Sequence, residues 1–444
     1  MSSNVSRRAF LKLSAGSAAA AAVACQGVPS GGSKPGNGRL RHGAVGIGGM
    51  GASDLGQISD HEQVDIVCLC DVDAGRLKAA GEKHPGARLY ADWREMLDKE
   101  GDNLDSLCVT TPDHMHAPIT MAALALGKHV YCQKPLTHTL VEARAVREAA
   151  EAVGVVTQMG IQNKSNVHYR TAKALFDTGV TGALSSMHVW TDRPSGWWPQ
   201  GVEREEGSDA IPSELSWNLW LGVAPARPYK KGAYHAFVWR GRKDFGTGAQ
   251  GDMACHLMDP ALWFTGLSDP LTVRSDGPKP NGESFPTWSR VNYTFAPNAK
   301  TSKKGVELTW YDGARKPDEL LKRLGIEDAF ANACLFVGDK AALLVSPYSP
   351  CRLFPLGGPE SKLEIEQVPA VNHWHQWVDA CLGSGTTTAG FDYAGRLSEV
   401  ALLGNVALEF PGKELAWDAQ GLRFPSHPEA DLLLHKTYRR GWDS

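Results

Sequence analysis

Gly46-Ile47-Gly48-Gly49-Met50-Gly51 decides the fold. Ahead of it, Leu40 to Ile47 reads as an apolar strand running into the glycines. Behind it, Ser53 to Ser59 reads as the body of a helix. Asp71 stands 20 residues past Gly51, closing the apolar run Val64 to Cys70. A lone G-x-G-x-x-G says little. Placed between strand and helix, with an acidic residue at that spacing, it marks a β-α-β unit that cradles a dinucleotide. Gly46 permits the tight turn, Gly48 lets backbone approach a pyrophosphate, and Gly51 lets the helix pack close on the strand. Gly49 and Met50 complete the loop, and the phosphates meet the helix N-terminus. Asp71 is placed to bind the adenine-ribose hydroxyls. Its negative charge disfavours a 2′-phosphate, so the expected cofactor is NAD(H) rather than its phosphorylated form.

Outward from this unit the strand–helix alternation continues. Helices are expected over Asp73–His84, Asp92–Lys99, Ala117–Leu126 and Thr139–Val153. Strands are expected over Ala87–Tyr90, Asp105–Thr110, Val130–Cys132 and Val155–Met159. Such alternation implies a Rossmann-type, doubly wound parallel sheet over residues 40–160. After a helix at His168–Thr178 the segments become β-prone and aromatic-rich: Ala183–Thr191, Ser289–Phe295, Val306–Tyr311 and Ala341–Val345. Residues 161–444 therefore read as an α+β domain with a mostly antiparallel open sheet, and the chain as α/β overall. Late helices at Asn372–Leu382 and Tyr393–Leu408 are expected to pack back between the domains.

Three segments carry the chemistry. Thr110-Thr111-Pro112-Asp113-His114-Met115-His116 follows the fourth strand, and Cys132-Gln133-Lys134-Pro135-Leu136 follows the fifth. Both lie at carboxyl ends of strands, where open α/β sheets bind ligands. The third is Gly251-Asp252-Met253-Ala254-Cys255-His256, with Pro260 beyond it. On a helix Asp252 and His256 share a face, and Pro260 should kink or restart that helix. Alcohol oxidation needs a hydride acceptor, a base for the hydroxyl proton and a donor to hold the oxygen. His256 is the leading base and Lys134 the group that polarises the oxygen, although the two could exchange roles. A metal site on Asp252, His256 and Asp259 is the lesser alternative, because no other cluster supplies a fourth ligand. His114 and His116 have the look of a zinc pair, but lining the nicotinamide pocket suits them better.

Together these segments resemble the Gfo/Idh/MocA oxidoreductases, from about Arg39 to the late helices. The resemblance implies that Lys134, Asp252 and His256 face the nicotinamide. It implies a sugar or polyol as substrate. The family's usual Glu-Lys-Pro is here Gln133-Lys134-Pro135, which removes a carboxylate beside the lysine. Thr111, Pro112, His114, His116, Gln133, Lys134 and Gln162 are expected to line the cofactor. Asn163, Arg193, Trp197, Trp198, Tyr234, His235, Trp239 and Arg240 are the candidate sugar-binding residues, aromatic platforms beside polar groups suiting a polyhydroxylated ring.

Ser6-Arg7-Arg8-Ala9-Phe10-Leu11-Lys12 reads as a twin-arginine export signal, with the apolar run Leu11 to Ala24 and a small-residue cleavage site behind it. Residues 1–24 are the expected signal and residues 25–39 a flexible tether. Cys25 stands where a lipoprotein signal puts its lipidated cysteine, so the expected partners are the twin-arginine translocase and, through that anchor alone, a membrane. The expected location is periplasmic. That route carries folded proteins, and no large dinucleotide pool awaits them, so NAD(H) should travel tightly bound and be regenerated in the site. Loss of residues 1–24 takes Arg7, Arg8 and Lys12 from a chain of net charge −3, leaving −6. A mildly acidic chain without basic runs argues against nucleic acid. Cys68, Cys70, Cys108 and Cys132 fall in expected strands and read as buried free thiols. A homo-oligomer is expected. The leading function is oxidation of a secondary hydroxyl of a sugar, glycoside or polyol. Two alternatives stand beside it: redox-neutral glycoside cleavage through oxidation, elimination, hydration and re-reduction, and a non-catalytic sugar-binding lipoprotein.

Overall fold

The computed structural model describes residues 38–442. The expected export signal, Cys25 and most of the expected tether lie outside them. The first sheet is built from β1 (Leu40–Val45), β2 (Val64–Cys70), β3 (Arg88–Tyr90), β4 (Ser106–Val109), β5 (His129–Cys132) and β6 (Thr157–Met159). All its pairings are parallel. The order β3-β2-β1-β4-β5-β6 turns at β1 and β4, which opens a crevice at the carboxyl ends. The register makes that edge even. Tyr90 pairs with Cys70, Cys70 with Val45, Val45 with Val109, Val109 with Cys132 and Cys132 with Met159. The residue after each of these therefore steps onto one shelf: Ala91, Asp71, Gly46, Thr110, Gln133 and Gly160. β4 and β5 are buried along their whole length, as parallel strands covered on both faces must be.

The second sheet holds β7 (Leu184–Trp190), β8 (Thr272–Asp276), β9 (Arg290–Phe295), β10 (Val306–Tyr311), β11 (Ala333–Gly338), β12 (Ala341–Ser346), β13 (Ser349–Pro355) and β14 (Glu414–Ala416). Its order is β13-β12-β11-β7-β10-β9-β8-β14, antiparallel throughout except between β7 and β10. The fold class read from the sequence is the one observed. β8, β11, β13 and β14 were not expected. β13 has proline near both ends and β14 is only three residues long, so neither shows a period.

Helices Leu140–Val153 and Phe391–Ala407 lie against one another, and the second also packs on helix Gly248–Leu257. One continuous apolar cluster runs from Leu107 and Val130 of the first sheet through Val146 and Leu403 to Phe336 and Leu343 of the second. That shared core fixes the second domain's helices over the crevice. Every described cysteine is buried and free. Burial pushes the Cys68 and Cys132 thiols up to about 12, which makes them inert. Among the described residues no helix is long and apolar enough to cross a membrane.

Candidate active site

The glycine loop is a cradle by exclusion. Gly46 sits at φ 77°; a Cβ there would stand 2.6 Å from the Thr110 carbonyl oxygen, and one on Gly51 only 1.8 Å from the Gly46 oxygen. No side chain fits either place. The loop is tied to the end of β2: the Ile47 N–H donates to Asp71 Oδ2 at 2.9 Å, and the Asp73 N–H donates to Oδ1 at 2.9 Å. Burial raises the Asp71 pKa, and these two bonds draw it back. Each carboxylate oxygen keeps a further lone pair for a ribose hydroxyl. A cavity of about 710 Å³ is walled by this loop, by Asp71 and, elsewhere along it, by Lys134, Asp252 and His256. Gly46, Gly48, Gly49, Met50, Thr111, Pro112, His116, Gln133 and Gln162 also line it. The cradle, the carboxylate and the free helix start fit a dinucleotide. When bound, it would supply the hydride acceptor.

A buried carboxylate from another element pairs with Gln133. Asp54, on helix Met50–Ser59, is fully buried. It accepts the Gln133 side-chain amide at 3.0 Å, the Thr110 hydroxyl at 2.9 Å and the Trp374 indole N–H at 2.9 Å. Burial raises its pKa to about 6, and these donors restrain the rise. A glutamate at 133 would bring a second carboxylate against this one. Glutamine instead donates to it, and its own Oε1 accepts from the Lys134 N–H at 3.2 Å.

At the reacting end Lys134 Nζ donates to Asp252 Oδ1 at 2.7 Å and to the Asp252 carbonyl at 3.0 Å. Arg240 Nε donates to the same Oδ1 at 3.3 Å. Burial works against the Asp252 charge, but the two cations prevail and hold its pKa at about 2. His256 lies one turn further along helix Gly248–Leu257 and faces the cavity. Burial, aided by the Lys134 charge, lowers its pKa to about 3, so the ring is neutral. Its Nδ1 is buried without a partner among the described residues. The helix ends at Leu257 and a new one starts at Asp259–Thr265, with Pro260 in its first turn. Asp259 turns away from the cavity. Its Oδ1 accepts from Lys164 Nζ at 3.0 Å and the Tyr393 hydroxyl at 2.5 Å. Asp252, His256 and Asp259 therefore do not converge on a common point.

Of the expected sugar-binding residues, His235, Trp239 and Arg240 line the cavity. The others do not. Tyr234 is buried in an aromatic cluster with Trp217, Trp220 and Phe245. Trp198 is buried and donates its indole N–H to Gln200 Oε1 at 2.9 Å. Arg193 stacks on Trp197 at 3.6 Å, outside the cavity lining. Asn163 lies in the short turn Gln162–Ser165, where only Gln162 reaches the cavity. His114, expected to line the cofactor, lies outside the cavity lining: it is fully buried, its ring nitrogens 3.3 Å and 3.2 Å from the Phe245 and Trp220 carbonyls. His116 bridges the Pro135 and Thr111 carbonyls at 2.7 Å and 2.8 Å. Two such acceptors favour a charged ring, but burial outweighs them and lowers its pKa to about 4, so it donates to one of the two.

Asp113, Arg76, Trp220, Phe237 and Trp442 also line the cavity, although none was expected there. Asp113 stands inside the quoted segment Thr110 to His116. Burial raises its pKa to about 7, against a 2.7 Å bond from the Thr247 hydroxyl. Trp442 lies in no recognisable motif.

Residues 40–161 match a family model described as an oxidoreductase family, NAD-binding Rossmann fold. Residues 166–309 match the family's C-terminal alpha/beta domain. The chain belongs to the Gfo/Idh/MocA oxidoreductase family. Inositol 2-dehydrogenase of Salmonella typhimurium is 30% identical over 152 residues, 34% of this chain and 45% of that protein, so the match spans under half of the relative's length. Among solved structures, the WlbA dehydrogenase from Bordetella pertussis, in complex with NADH and UDP-GlcNAcA, superposes with a TM-score of 0.60 at 17% identity, covering 86% of this chain and 99% of that one. The aldose-aldose oxidoreductase from Caulobacter crescentus, complexed with glycerol, gives 0.58 at 18%, covering 85% and 100%. At these identities the likeness shows the fold.

Proposed function

We propose that the protein is an NAD-dependent oxidoreductase of a secondary hydroxyl on a sugar, glycoside or polyol. The observation that carries this reading is the Lys134–Asp252–His256 cluster facing the same cavity as the glycine cradle. The neutral His256 offers a ring nitrogen to a hydroxyl proton. The Lys134 ammonium, held by Asp252, stands ready to bind the same oxygen, and Arg240 completes the neutralisation of Asp252. Loss of the proton to the base and of hydride from the carbinol carbon gives a ketone. Relatives named for inositol, levoglucosan and D-apiose support a polyhydroxylated substrate. The twin-arginine motif supports export with the cofactor already bound, anchored through Cys25.

The test is to incubate cofactor-loaded protein with a panel of sugars, polyols and aryl glycosides while recording reduced-nicotinamide absorbance and released aglycone. Lasting reduction without release is expected. Release without net reduction replaces this reading with redox-neutral glycoside cleavage, and no response across the panel removes the catalytic reading.

A further inference from the structure

The last described residues reach the cofactor cavity from outside both family-model matches, which end at residues 161 and 309. Trp442 lines that cavity. Its position within it follows from its neighbours. Arg94, held by Asp92 at 2.6 Å, places its guanidinium 4.0 Å from the centre of the Trp442 ring. Asp92 and Trp93 come directly after β3, whose Tyr90 carbonyl accepts the Asp71 N–H at 3.2 Å. Trp442 therefore stands by the end of β3, on the Asp71 side of the glycine loop, where Asp71 would meet the adenine ribose.

The segment leading to it is fastened at several points. The Leu434 carbonyl accepts the Val141 N–H at 3.0 Å. Lys436 pairs with Glu142 at 3.2 Å, and the Tyr438 hydroxyl donates to Glu142 Oε1 at 2.7 Å. The Arg439 N–H donates to the Val223 carbonyl at 2.9 Å, and its guanidinium to the Gly222 carbonyl at 2.9 Å and Asn218 Oδ1 at 2.8 Å. The stretch that Arg439 grips is itself laid along the end of β2, where the Ser216 N–H donates to the Val72 carbonyl at 2.9 Å. The tail thus crosses from the first domain to a second-domain segment and sets down an indole at the adenosine end.

We propose that residues 434–442 form a cofactor-retaining strap, with Trp442 packing on the adenosine half of the bound dinucleotide. This rests on the dinucleotide site described above. An indole there slows release by adding a stacked aromatic contact and by covering the exit, whereas the nicotinamide half keeps its own contacts. The reading also gives the resident cofactor a structural basis: the strap must lift before the dinucleotide leaves.

The experiment uses the full-length holoprotein. Release of reduced NAD is followed by fluorescence after adding excess oxidised NAD as a trap, for wild type, Trp442→Ala, Trp442→Phe and Arg439→Ala. Release should be about tenfold faster or more in Trp442→Ala, the scale of a lost base–aromatic stack, and little changed in Trp442→Phe. Arg439→Ala, which loosens the strap at a residue outside the cavity lining that also lies 5.7 Å from the Trp442 ring, should move in the same direction. Affinity for reduced nicotinamide mononucleotide, which lacks the adenosine half, should match wild type in Trp442→Ala. Unchanged release in Trp442→Ala overturns the proposal. Equal weakening toward the mononucleotide also overturns it, because the effect would then be general loosening. A wild-type protein that binds no reduced NAD overturns the dinucleotide site itself, an outcome separate from either of these.

Discussion

Lys134 and Asp252 explain one another as an ion pair, and Gln133 and Asp54 as a donor and its acceptor. Lys134→Ala removes the closest cation from Asp252, and His256→Ala removes the ring that faces the cavity. Each should lower kcat by about a hundredfold or more, the usual scale for a positioned acid–base group. NAD content after gel filtration should be retained, because neither touches the glycine loop. Normal turnover in either variant removes its assigned role. The glutamine at 133 carries a sharper prediction. Gln133→Glu puts a second carboxyl 3.0 Å from buried Asp54, so one of the two must hold a proton or the pair repels. A loss of roughly 1–3 kcal/mol is expected in urea unfolding at neutral pH. Adding Asp54→Asn should recover part of it: the amide can donate to the new carboxylate, while the Thr110 hydroxyl and the Trp374 indole, which both donate to Asp54, are left one acceptor oxygen. Failure of that rescue shows that Gln133 is needed for another reason. The cavity's lysine, aspartate and histidine were legible because they lie in motifs at strand ends and one helical turn apart. Asp54 was not legible, because its partners come from positions 110, 133 and 374, and only folding brings them together.

Helix Gly248–Leu257 carries Asp252 and His256, and its position is set by helix Phe391–Ala407 lying on it. Contact at Gly404 is tight: a Cβ there would stand 2.2 Å from the Tyr293 hydroxyl and 2.6 Å from Gln250 Nε2. Those two groups bond each other at 2.9 Å, and Gln250 belongs to the helix that carries Asp252 and His256. Gly404→Ala should therefore cost about 1–3 kcal/mol as an overpacked core. It should also lower kcat by displacing that helix. Gly56→Ala, on the exposed side of helix Met50–Ser59, meets nothing within 4 Å, so its effect should be small. Denaturant midpoints and kcat of the two variants, measured side by side, check the contrast; equal effects would mean that close approach at Gly404 does not seat the helix. At this scale the first domain was readable because buried parallel strands are continuous apolar runs punctuated by glycine, aspartate and helical caps. The second was readable only in part. Ala333–Gly338 is apolar and β-branched-poor, and Ser349–Pro355 alternates weakly between prolines, so tertiary pairing rather than local pattern makes them strands. Trp198, Tyr234 and Trp197 illustrate the same limit for the site. An aromatic in a loop carries no mark that separates a core anchor from a sugar platform, and these three became an anchor, a cluster member and an arginine's stacking partner.

Across the whole molecule, shared burial of titratable groups gives the protein a direction of failure with pH. Burial lowers the pKa of His42, His114 and His256 to about 3 and of His116, His188 and His373 to about 4. In the unfolded chain these rings take up protons near about 6.5. As pH falls through that value the unfolded state gains protons that the native state refuses, so stability drops with falling pH until the folded values are reached. Three buried carboxyls act in the opposite sense. Burial raises Asp54 and Asp312 to about 6 and Asp113 to about 7, so the native state holds their protons where the unfolded chain, near about 4, has released them. Between pH 6 and 5 the buried histidines, His138 among them, outnumber these three carboxyls, so the unfolded state binds more protons and stability falls as pH falls. Asp252, held at about 2, adds its loss only at stronger acid, as pH falls below the ordinary carboxylate value. The expected outcome is a urea midpoint that is highest at neutral pH and falls steeply from about pH 6.5 toward pH 5. His188→Gln and His373→Gln, both outside the cavity lining, should each flatten that fall by about one proton. A midpoint that stays level or rises across this range would mean that the buried rings are charged in the native state, and that the carbonyl pair around His116 is one of several such sites rather than one overridden by burial.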